Sequence, residues 1–504
     1  MKQRRKKIVK LVPLGSIRFK SIYITSLILI FGLFSKLVYL QVFNASNLKN
    51  KALARQIKRT NVLKTRRQII DRNNRLVAFD KTQYELWGHP EYFRFPGDKS
   101  NQRRTIEEVL IKLLPILNLD EKLLLDKFKN TRDGVRIADN INEEQAKKIK
   151  NLGISGIDLE IYSKRFYPQG DLFSNIVGFV NDERKGSSGL ELFLEDKIQV
   201  TQKSNILKRD GKGVPLPDGK GPFNLFNDDK KIKLTLDSRL QKIAFNALTK
   251  QVKKWNAKKG LTIVMNVNNG EILSLASFPS YDPQRFWEYD QKVFKGWYLQ
   301  DLFEPGSTFK LMSMVAALED KVVDTSTVID TEKGRYRIYD GVVKDSKWGG
   351  YGEISVAEAF AVSSNTAFAK IINENYKEQP EKFVNRLMNM GLHKKLGLPI
   401  IGEGDPVIRY PGDKGWSGIS LGWMSHGYEV SLTPIQTLAF YNAIANDGEY
   451  VKPRLIQEVR EGNKVLKRFD KEVLNPSICS KETVKKAQQL LKDVVEKEYG
   501  TGHK

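Results

Sequence analysis

The residues with the clearest chemical potential are Ser307 and Lys310, in the stretch EPGSTFKLMSMVAAL from Glu304 to Leu318. Positions three apart are neighbours on a helix, so the hydroxyl and the amine would share its first turn. The residues that follow are apolar on every side, which indicates a buried helix. Burial lowers a lysine pKa, and a neutral amine can take the serine proton and activate the hydroxyl as a nucleophile. An N-capping serine followed by a solvated lysine is the alternative.

A second polar motif, Ser363-Ser364-Asn365, follows 56 residues after Ser307, between two short helical patterns. In order and spacing, the two motifs resemble the Ser-x-x-Lys and Ser-x-Asn motifs of penicillin-binding proteins and serine β-lactamases. The longer string FEPGSTFK is similar to the class B penicillin-binding proteins in particular. The resemblance implies a D,D-transpeptidase that cross-links peptidoglycan stem peptides and is acylated by β-lactams.

The same resemblance implies a role for each motif residue. Ser307 would be the nucleophile that attacks the D-Ala-D-Ala carbonyl, and Lys310 would be its base. Ser363 would pass a proton to the leaving amine, and Asn365 would hold the substrate amide and Lys310. The backbone N–H of Ser307 would form half of an oxyanion hole. No metal or cofactor is implied.

Composition limits the choice of partners. The chain has 504 residues and a formal net charge of +25, which favours acidic partners such as nucleic acid, anionic lipid or an anionic cell-wall polymer, or else is simply a solvated basic surface. No basic stretch carries the interleaved aromatic residues or motifs typical of nucleic-acid binding, so we expect no nucleic-acid partner. The lone Cys479 cannot form an intramolecular disulfide and decides nothing about redox compartment.

An apolar run from Ile22 to Phe43 follows residues 1–20, which are basic and hold no acidic residue. The run has 22 residues, enough to cross a bilayer, and Lys36 is its only charge. A cleaved signal peptide is the alternative, but no small-x-small cleavage site follows. We therefore expect a cytoplasmic tail (1–20), a single transmembrane helix (21–43) and an extracytoplasmic, periplasmic remainder at the plasma (inner) membrane.

Three later segments resemble landmarks of the family's non-catalytic pedestal domain. They are TRRQIIDRNNRLVAFD from Thr65, RFYPQG from Arg165 and GSSGLE from Gly186. No acid/base pair or metal-ligand cluster accompanies them, so we interpret them as structural, although a charged hairpin could also explain the first. Arg67 and Asn74 stand where the family usually has glycine, and only asparagine readily tolerates the left-handed conformation of a turn.

The predicted fold is a single N-terminal transmembrane helix, an α+β pedestal or dimerisation domain at 50–225, and an α/β transpeptidase domain at 230–504. The transpeptidase domain would be β-lactamase-like, with an antiparallel sheet flanked by helices. The Gly-, Pro- and Lys-rich loop from Arg209 to Pro222 marks the boundary. A hairpin from Leu261 to Ser277, turning at Asn-Gly, would supply the first two strands of the sheet.

The family's third motif, Lys-Thr-Gly or Lys-Ser-Gly, does not occur in the sequence, which stops at GTGHK after an amphipathic helical pattern at 484–494. In the family that motif lies on a strand that binds the substrate carboxylate and supplies the second oxyanion N–H, and two more strands complete the sheet. We expect the sequence to be truncated before this motif, with the C-terminal strands missing. The helix after Ser307 would then expose an apolar patch, and the transpeptidase domain would be incompletely folded and impaired in activity.

The string ALARQIKR and the EPGSTFK and SSNTA contexts look more like the division (FtsI-type) enzyme than the elongation enzyme. The expected role is septal cell-wall synthesis. The expected partners are stem peptides, β-lactams, the membrane and division-complex membrane proteins, including a lipid II polymerase. The alternatives are an elongation-type transpeptidase, a catalytically incomplete scaffold of the division machinery, and a β-lactamase or β-lactam sensor, which would need no pedestal.

The stretch Gly418 to Gly422 also fits the Gly-x-Ser-x-Gly nucleophile elbow, centred on Ser420. That elbow needs a strand before the serine and a helix after it, and here a turn-like DKGWS precedes and no helical pattern follows. We therefore do not expect Ser420 to be a nucleophile. The nearby His426 is interpreted as a surface or pocket-lining residue, and the histidines show no metal-ligand spacing.

Overall fold

The computed structural model describes residues 16–48, 64–98, 102–129, 134–195, 199–201 and 230–503. The basic tail before Ser16, the ALARQIKR string and the boundary loop from Arg209 to Pro222 lie outside the described residues. The chain divides into two compact units, one formed by residues 1–63 and 201–227 and the other by residues 64–200 and 228–504.

The smaller unit contains helix α1 (Ser16–Val38), which continues into a π-helical turn at Tyr39–Phe43. The stretch Phe19–Phe43 has 25 residues. Its most apolar 18 residues have a mean hydropathy of 1.9, and none of them is buried. By length and composition it can cross a bilayer. Lys36 lies near its C-terminal end, where a long side chain can reach the membrane interface. The predicted apolar helix is present, and its crossing topology stays a prediction.

The described residues form nineteen short strands, most of them in the larger unit. The strands are β1 (Lys64–Arg66), β2 (Gln68–Ile70), β3 (Leu76–Gly88), β4 (Val135–Ile141), β5 (Ile157–Phe166), β6 (Gln199–Thr201), β7 (Lys230–Leu234), β8 (Gly260–Met265), β9 (Ile272–Phe278), β10 (Val328–Asp330), β11 (Arg335–Ile338), β12 (Gly341–Lys344), β13 (Glu353–Ser355), β14 (Val407–Ile408), β15 (Val430–Ser431), β16 (Tyr450–Val451), β17 (Ile456–Glu461), β18 (Lys464–Arg468) and β19 (Val473–Asn475).

Helices outnumber long strands in the part of the chain after residue 230. The helices of the larger unit are α2 (Ile106–Leu117), α3 (Glu121–Lys129), α4 (Glu143–Asn151), α5 (Ser174–Val177), α6 (Gly189–Phe193), α7 (Ser238–Trp255), α8 (Trp297–Gln300), α9 (Lys310–Glu319), α10 (Val356–Ala361), α11 (Asn365–Tyr376), α12 (Pro380–Asn389), α13 (Ser420–Met424), α14 (Pro434–Ala445) and α15 (Lys481–Glu496).

One mixed sheet joins the early and late parts of the larger unit. Its strand order is β18-β17-β7-β2-β3-β4, and β5 also pairs with β3. Strand β2 runs parallel to β7, and β17 runs antiparallel to the other edge of β7. Ile232 of β7 pairs with Ile69 on one side and with Val459 on the other, and its side chain is buried. A strand from the C-terminal half therefore continues a sheet that begins in the first pedestal landmark.

The three pedestal landmarks converge on one buried ion network. The fully buried carboxylate of Glu191 accepts hydrogen bonds from Nε of Arg66 at 2.9 Å and from Nε of Arg165 at 2.7 Å. Arg165 also lies 3.0 Å from a carboxylate oxygen of Asp80. Buried charges are tolerated when they are paired and hydrogen-bonded in this way. The landmarks are therefore structural in this chain, as interpreted from the sequence.

The turn of the first landmark is fixed from inside by Asp71. Its buried carboxylate accepts the backbone N–H of Asn73 and of Arg75, each at 2.8 Å, and the hydroxyl of Ser238 at 2.6 Å. Asn74 has a φ of +65°, which is the left-handed conformation expected of it. This turn therefore holds the start of helix α7 against the pedestal strands.

Arg67 does not share the left-handed conformation of Asn74, because its φ is not positive. It lies between strands β1 and β2, where the backbone is extended and a side chain is allowed. The departure from glycine at this position therefore costs no backbone strain.

The predicted hairpin is present as the antiparallel pair β8–β9, with Gly270 at a φ of +71° in its turn. Helix α7 lies across it and is capped by Asp237, whose side chain accepts the backbone N–H groups of Arg239 and Leu240. The Gln241 side chain of α7 hydrogen-bonds both the N–H and the C=O of neighbouring backbone at Leu275, each at 2.8 Å. Helix and hairpin thus form one layer against another.

The expectation that helix α9 exposes an apolar patch is wrong. Every residue from Lys310 to Leu318 is buried, and only Glu319 at the end of the helix is partly exposed. Later helices cover it: the Tyr376 hydroxyl at the end of α11 lies 3.4 Å from the Ala316 carbonyl, and the Ser480 hydroxyl before α15 donates to Glu319 at 2.8 Å. These helices supply cover that the sequence argument assigned to further strands.

Replacing Glu191 with glutamine should lower the free energy of unfolding of the larger unit by about 3–5 kcal/mol, because two buried guanidinium groups lose their shared countercharge. The measurement is the midpoint of urea unfolding. Glu144→Gln is the matched control, since Glu144 pairs with Lys148 on an exposed helix surface and its loss should leave the midpoint unchanged. Equal midpoints for the two variants would contradict the stabilising role of the network.

Candidate active site

Ser307 lies in a short 3-10 turn, Gly306–Phe309, that leads directly into helix α9. Its side chain is exposed, whereas Phe309 behind it is fully buried. The turn is held by a neighbouring loop, because Gly306 donates its N–H to the carbonyl of Gly427 at 3.0 Å. A Cβ at Gly427 would come within 2.1 Å of the Gly306 oxygen, so glycine is required for this approach. The hydroxyl is thereby presented on a rigid turn.

The amine of Lys310 is buried among three oxygen acceptors. Its Nζ donates to the Ser363 carbonyl at 2.6 Å, to the Ser363 hydroxyl at 2.9 Å and to Oδ1 of Asn365 at 2.7 Å. The residue is only 3% exposed. The structure therefore brings Lys310, Ser363 and Asn365 into direct contact, while Ser307 is an exposed residue one turn before Lys310.

The chemistry of these acceptors decides what the amine can do. The Ser363 carbonyl and Oδ1 of Asn365 can only accept hydrogen bonds. The Asn365 amide presents Oδ1 to the lysine because its Nδ2 donates to the Lys344 carbonyl at 2.9 Å. These two bonds occupy two N–H groups of Lys310. The third partner is a hydroxyl, which can either accept an N–H from the ammonium or donate to the lone pair of the neutral amine. The site can therefore accommodate both protonation states of Lys310.

Burial lowers the pKa of Lys310 to about 7, and the negative charge of Asp345 partly opposes that shift. Removing water disfavours the charged form of a lysine, which is the physical cause of the lowering. At neutral pH a substantial fraction of the amine is thus uncharged and able to accept a proton. This outcome matches the prediction made for a lysine at the start of a buried helix.

The turn that carries the acceptors is itself unusual. Ser363 has a φ of +56°, a left-handed conformation that is rare for a residue other than glycine and costs about 1–3 kcal/mol. This conformation turns both its carbonyl and its hydroxyl to the same amine. Ser364 then caps helix α11, its side chain accepting the backbone N–H of Ala367. The strain is held in place by the helix that follows.

His426 lies beside this cluster, as a buried residue in the loop after helix α13. Burial and the nearby charge of Lys310 lower the pKa of His426 to about 4, so the ring is neutral at physiological pH. Its Nδ1 is 3.0 Å from the Gly422 carbonyl, which can only accept, so Nδ1 carries the proton. A neutral histidine places no second positive charge next to the lysine.

The alternative serine, Ser420, is fully buried. It begins the short helix α13, which the sequence pattern does not predict. Turns rather than a strand lead into this helix from Arg409. Ser420 bonds with Ser417, and no acid or histidine is among its hydrogen-bond partners within the described residues. The nucleophile-elbow pattern is therefore fortuitous. The described residues also hold no group of three or more His, Cys, Asp or Glu side chains that could bind a metal ion.

Asp345 is the site residue that the sequence argument missed. It belongs to no motif and lies in a loop just after strand β12, yet its carboxylate faces the Ser363–Asn365 turn through Ser364. A polar residue between two motifs carries no spacing signal, because only the packing of a hairpin against helix α11 brings it there. No pattern in the sequence could have identified it.

Comparison with known proteins identifies the family of both domains. Residues 62–219 match the family described as the penicillin-binding protein dimerisation domain, and residues 260–504 match the penicillin-binding protein transpeptidase domain. A solved structure of penicillin-binding protein 2X from Streptococcus thermophilus superposes with a TM-score of 0.68 at 20% identity, covering 88% of this chain and 67% of that one. The predicted architecture, an apolar helix followed by pedestal and transpeptidase domains, is confirmed.

Two curated relatives are described as peptidoglycan D,D-transpeptidase FtsI homologues. The protein from Mesostigma viride is 31% identical over 440 residues, covering 84% of this chain and 70% of its own length. The protein from Chlorokybus atmophyticus is 30% identical over 435 residues, again covering 84% of this chain, but 62% of its own length. The chain therefore spans between three fifths and seven tenths of the length of these relatives.

Lys310 should titrate near pH 7, which competitive acetylation followed by mass spectrometry can measure from the pH at which its relative reactivity is half-maximal. Below that pH the ammonium is unreactive, and above it the free amine reacts. Lys185 is the internal control, because its bond to Glu183 raises its pKa above the usual lysine range. A Lys310 midpoint as high as that of Lys185 would contradict the effect of burial.

Proposed function

Because the chain belongs to the class B penicillin-binding proteins of the FtsI type, we propose that it is a serine D,D-transpeptidase that cross-links peptidoglycan stem peptides. The observation that carries this proposal is the buried amine of Lys310, one helical turn from an exposed serine and bonded to both Ser363 and Asn365. A lysine held in this state serves as a general base at neutral pH.

In the proposed acylation, Oγ of Ser307 attacks the carbonyl of the penultimate D-alanine of a donor stem. Its proton passes to the neutral Nζ of Lys310, and the developing oxyanion accepts the backbone N–H of Ser307. The tetrahedral intermediate collapses with loss of the terminal D-alanine, whose nitrogen receives a proton through the Ser363 hydroxyl. The distance of 2.9 Å between the Ser363 hydroxyl and Nζ of Lys310 supports this route, because the hydroxyl can take a proton from the lysine as it gives up its own.

Deacylation reverses these roles. The amino group of an acceptor stem attacks the ester carbonyl and gives a proton to the same lysine and serine pair. The ester bond then breaks, Oγ of Ser307 takes a proton back from that pair, and the new cross-link is complete. Asn365 is positioned to hold the donor amide, since it lies next to the Ser363 hydroxyl at the start of helix α11. A β-lactam would follow only the first half, because its leaving nitrogen stays tethered in the acyl group.

We further infer a cellular context for the chain. The apolar stretch Phe19–Phe43 would anchor it in the plasma (inner) membrane, with the basic tail in the cytoplasm and the larger unit in the periplasm. The FtsI-type relatives support a role in septal wall synthesis. Division-complex membrane proteins, including a lipid II polymerase that supplies glycan strands, are the proposed partners.

Incubation of the chain with penicillin should give one covalent adduct per molecule, read by intact-protein mass spectrometry. Ser307→Ala should abolish it, and Lys310→Met should slow its formation by about 10²- to 10⁴-fold, the usual contribution of a general base. Ser420→Ala is the matched control and should be acylated at the unmodified rate. An adduct that survives Ser307→Ala would place the nucleophile elsewhere.

Protease added to intact spheroplasts should digest the larger unit and spare only the tail and the apolar helix. The reason is that residues 1–20, directly before the helix, are strongly basic and hold no acidic residue, and such a flank is retained in the cytoplasm. Immunoblotting with an N-terminal tag measures the protected fragment, and lysed spheroplasts serve as the control. Protection of the whole chain before lysis would refute the proposed topology.

A further inference from the structure

The carboxylate of Asp345 is the hub of a hydrogen-bond cluster next to the Lys310 site. It accepts the hydroxyl of Ser364 at 3.1 Å, the backbone N–H of Thr366 at 3.0 Å and the hydroxyl of Thr366 at 2.6 Å. Ser364 and Thr366 are fully buried, and they flank Asn365 in sequence. Asp345 therefore holds the residues on both sides of Asn365, Ser364 through its side chain and Thr366 through its side chain and its backbone N–H.

Lys344, the residue before Asp345, makes a further hydrogen bond to the same turn. The carbonyl of Lys344, at the end of strand β12, accepts Nδ2 of Asn365 at 2.9 Å. This bond fixes which way the amide faces and leaves Oδ1 for Lys310. Two consecutive residues at the end of one strand thus fix the position of the Ser363–Asn365 turn and the orientation of its amide.

Asp345 also contributes charge. Its carboxylate lies at the N-terminus of helix α11, where the helix dipole favours an anion. Among the described residues, the charge that acts on Lys310 is that of Asp345, while Lys310 in turn acts on His426. The ring of Phe368 also lies close, with its centre 5.5 Å from Nζ. Since the histidine is neutral, Asp345 is the one group that adds a full charge near the amine.

We propose that Asp345 is a positioning residue for the transpeptidase reaction: it anchors the Ser363–Asn365 turn to strand β12 and sets the charge that Lys310 experiences. This inference rests on the proposed function. A residue that merely stabilised helix α11 would hold the turn without acting on the amine, so the two effects must be measured separately.

The experiment compares the wild-type chain with Asp345→Asn, Asp345→Glu and the control Thr366→Val, which removes one anchoring bond but keeps the charge. For each, the rate of acylation by a fluorescent penicillin is followed across the neutral pH range, and the midpoint of Lys310 acetylation is measured in parallel. Circular dichroism and thermal unfolding show which variants fold.

For Asp345→Asn we expect both midpoints to fall, because loss of the negative charge destabilises the ammonium. Its limiting acylation rate should also drop by about 10- to 100-fold, the scale expected when a reacting group is misplaced. Thr366→Val should lower the limiting rate without moving the midpoints. Asp345→Glu should keep the wild-type midpoints while its longer side chain lowers the limiting rate.

Two results would overturn the inference: unchanged midpoints in Asp345→Asn, whatever happens to the rate, or an unchanged limiting rate in that variant. If Asp345→Asn does not fold, the midpoints of Asp345→Glu and Thr366→Val decide, and a shift in either would count against the assigned role. A wild-type chain that is not acylated at Ser307 would refute the proposed function instead, and the acetylation midpoints would still test the effect of Asp345 on Lys310.

Discussion

An ammonium can be removed from water only where enough oxygen atoms replace its hydration, and the burial of Lys310 imposes that requirement on the larger unit. Its three hydrogen bonds come from a turn 53 to 55 residues further along the chain. That turn must be strained at Ser363 to offer a carbonyl and a hydroxyl to the same nitrogen. Helix α11, capped by Ser364, then keeps the turn from relaxing, so the state of the Lys310 amine and the local fold depend on the same few bonds.

The pedestal meets a similar problem with more charges. Two buried arginines, the buried Glu191 and the partly buried Asp80 lie together, and these four residues come from three short segments of sequence. Such a network gives little net stability over an apolar core, but loss of one member is costly. It explains why segments with no chemistry of their own retain charged residues at these places. The network fixes how the three segments meet.

What the sequence could predict was local. The shared turn of Ser307 and Lys310 follows from helical spacing, and the β8–β9 hairpin follows from Asn-Gly between two runs of strand-forming residues. The nearness of Ser363 and Asn365 to Lys310 could not be derived from their separation in the chain and came only through resemblance to a family. The cover over helix α9 and the place of Asp345 depend on how distant elements pack, for which no periodicity gives a signal. The catalytic assignments themselves stay predictions until Ser307 and Lys310 are tested.

The mixed sheet has a consequence for how such a chain can change over generations. Strand β17 lies within the stretch matched by the transpeptidase family, yet it is bonded to β7 and through it to β2 of the pedestal. Recombination between related genes within residues 202–229 would therefore separate β2 from β7, two strands that must fit one another side by side. An incoming C-terminal half would bring its own β7 and β17, and its β7 would have to pair with a foreign β2. Exchange of the C-terminal half between lineages is thus constrained by the pairing of β7 with β2, because these strands must agree in register before any difference near Ser307 can be selected.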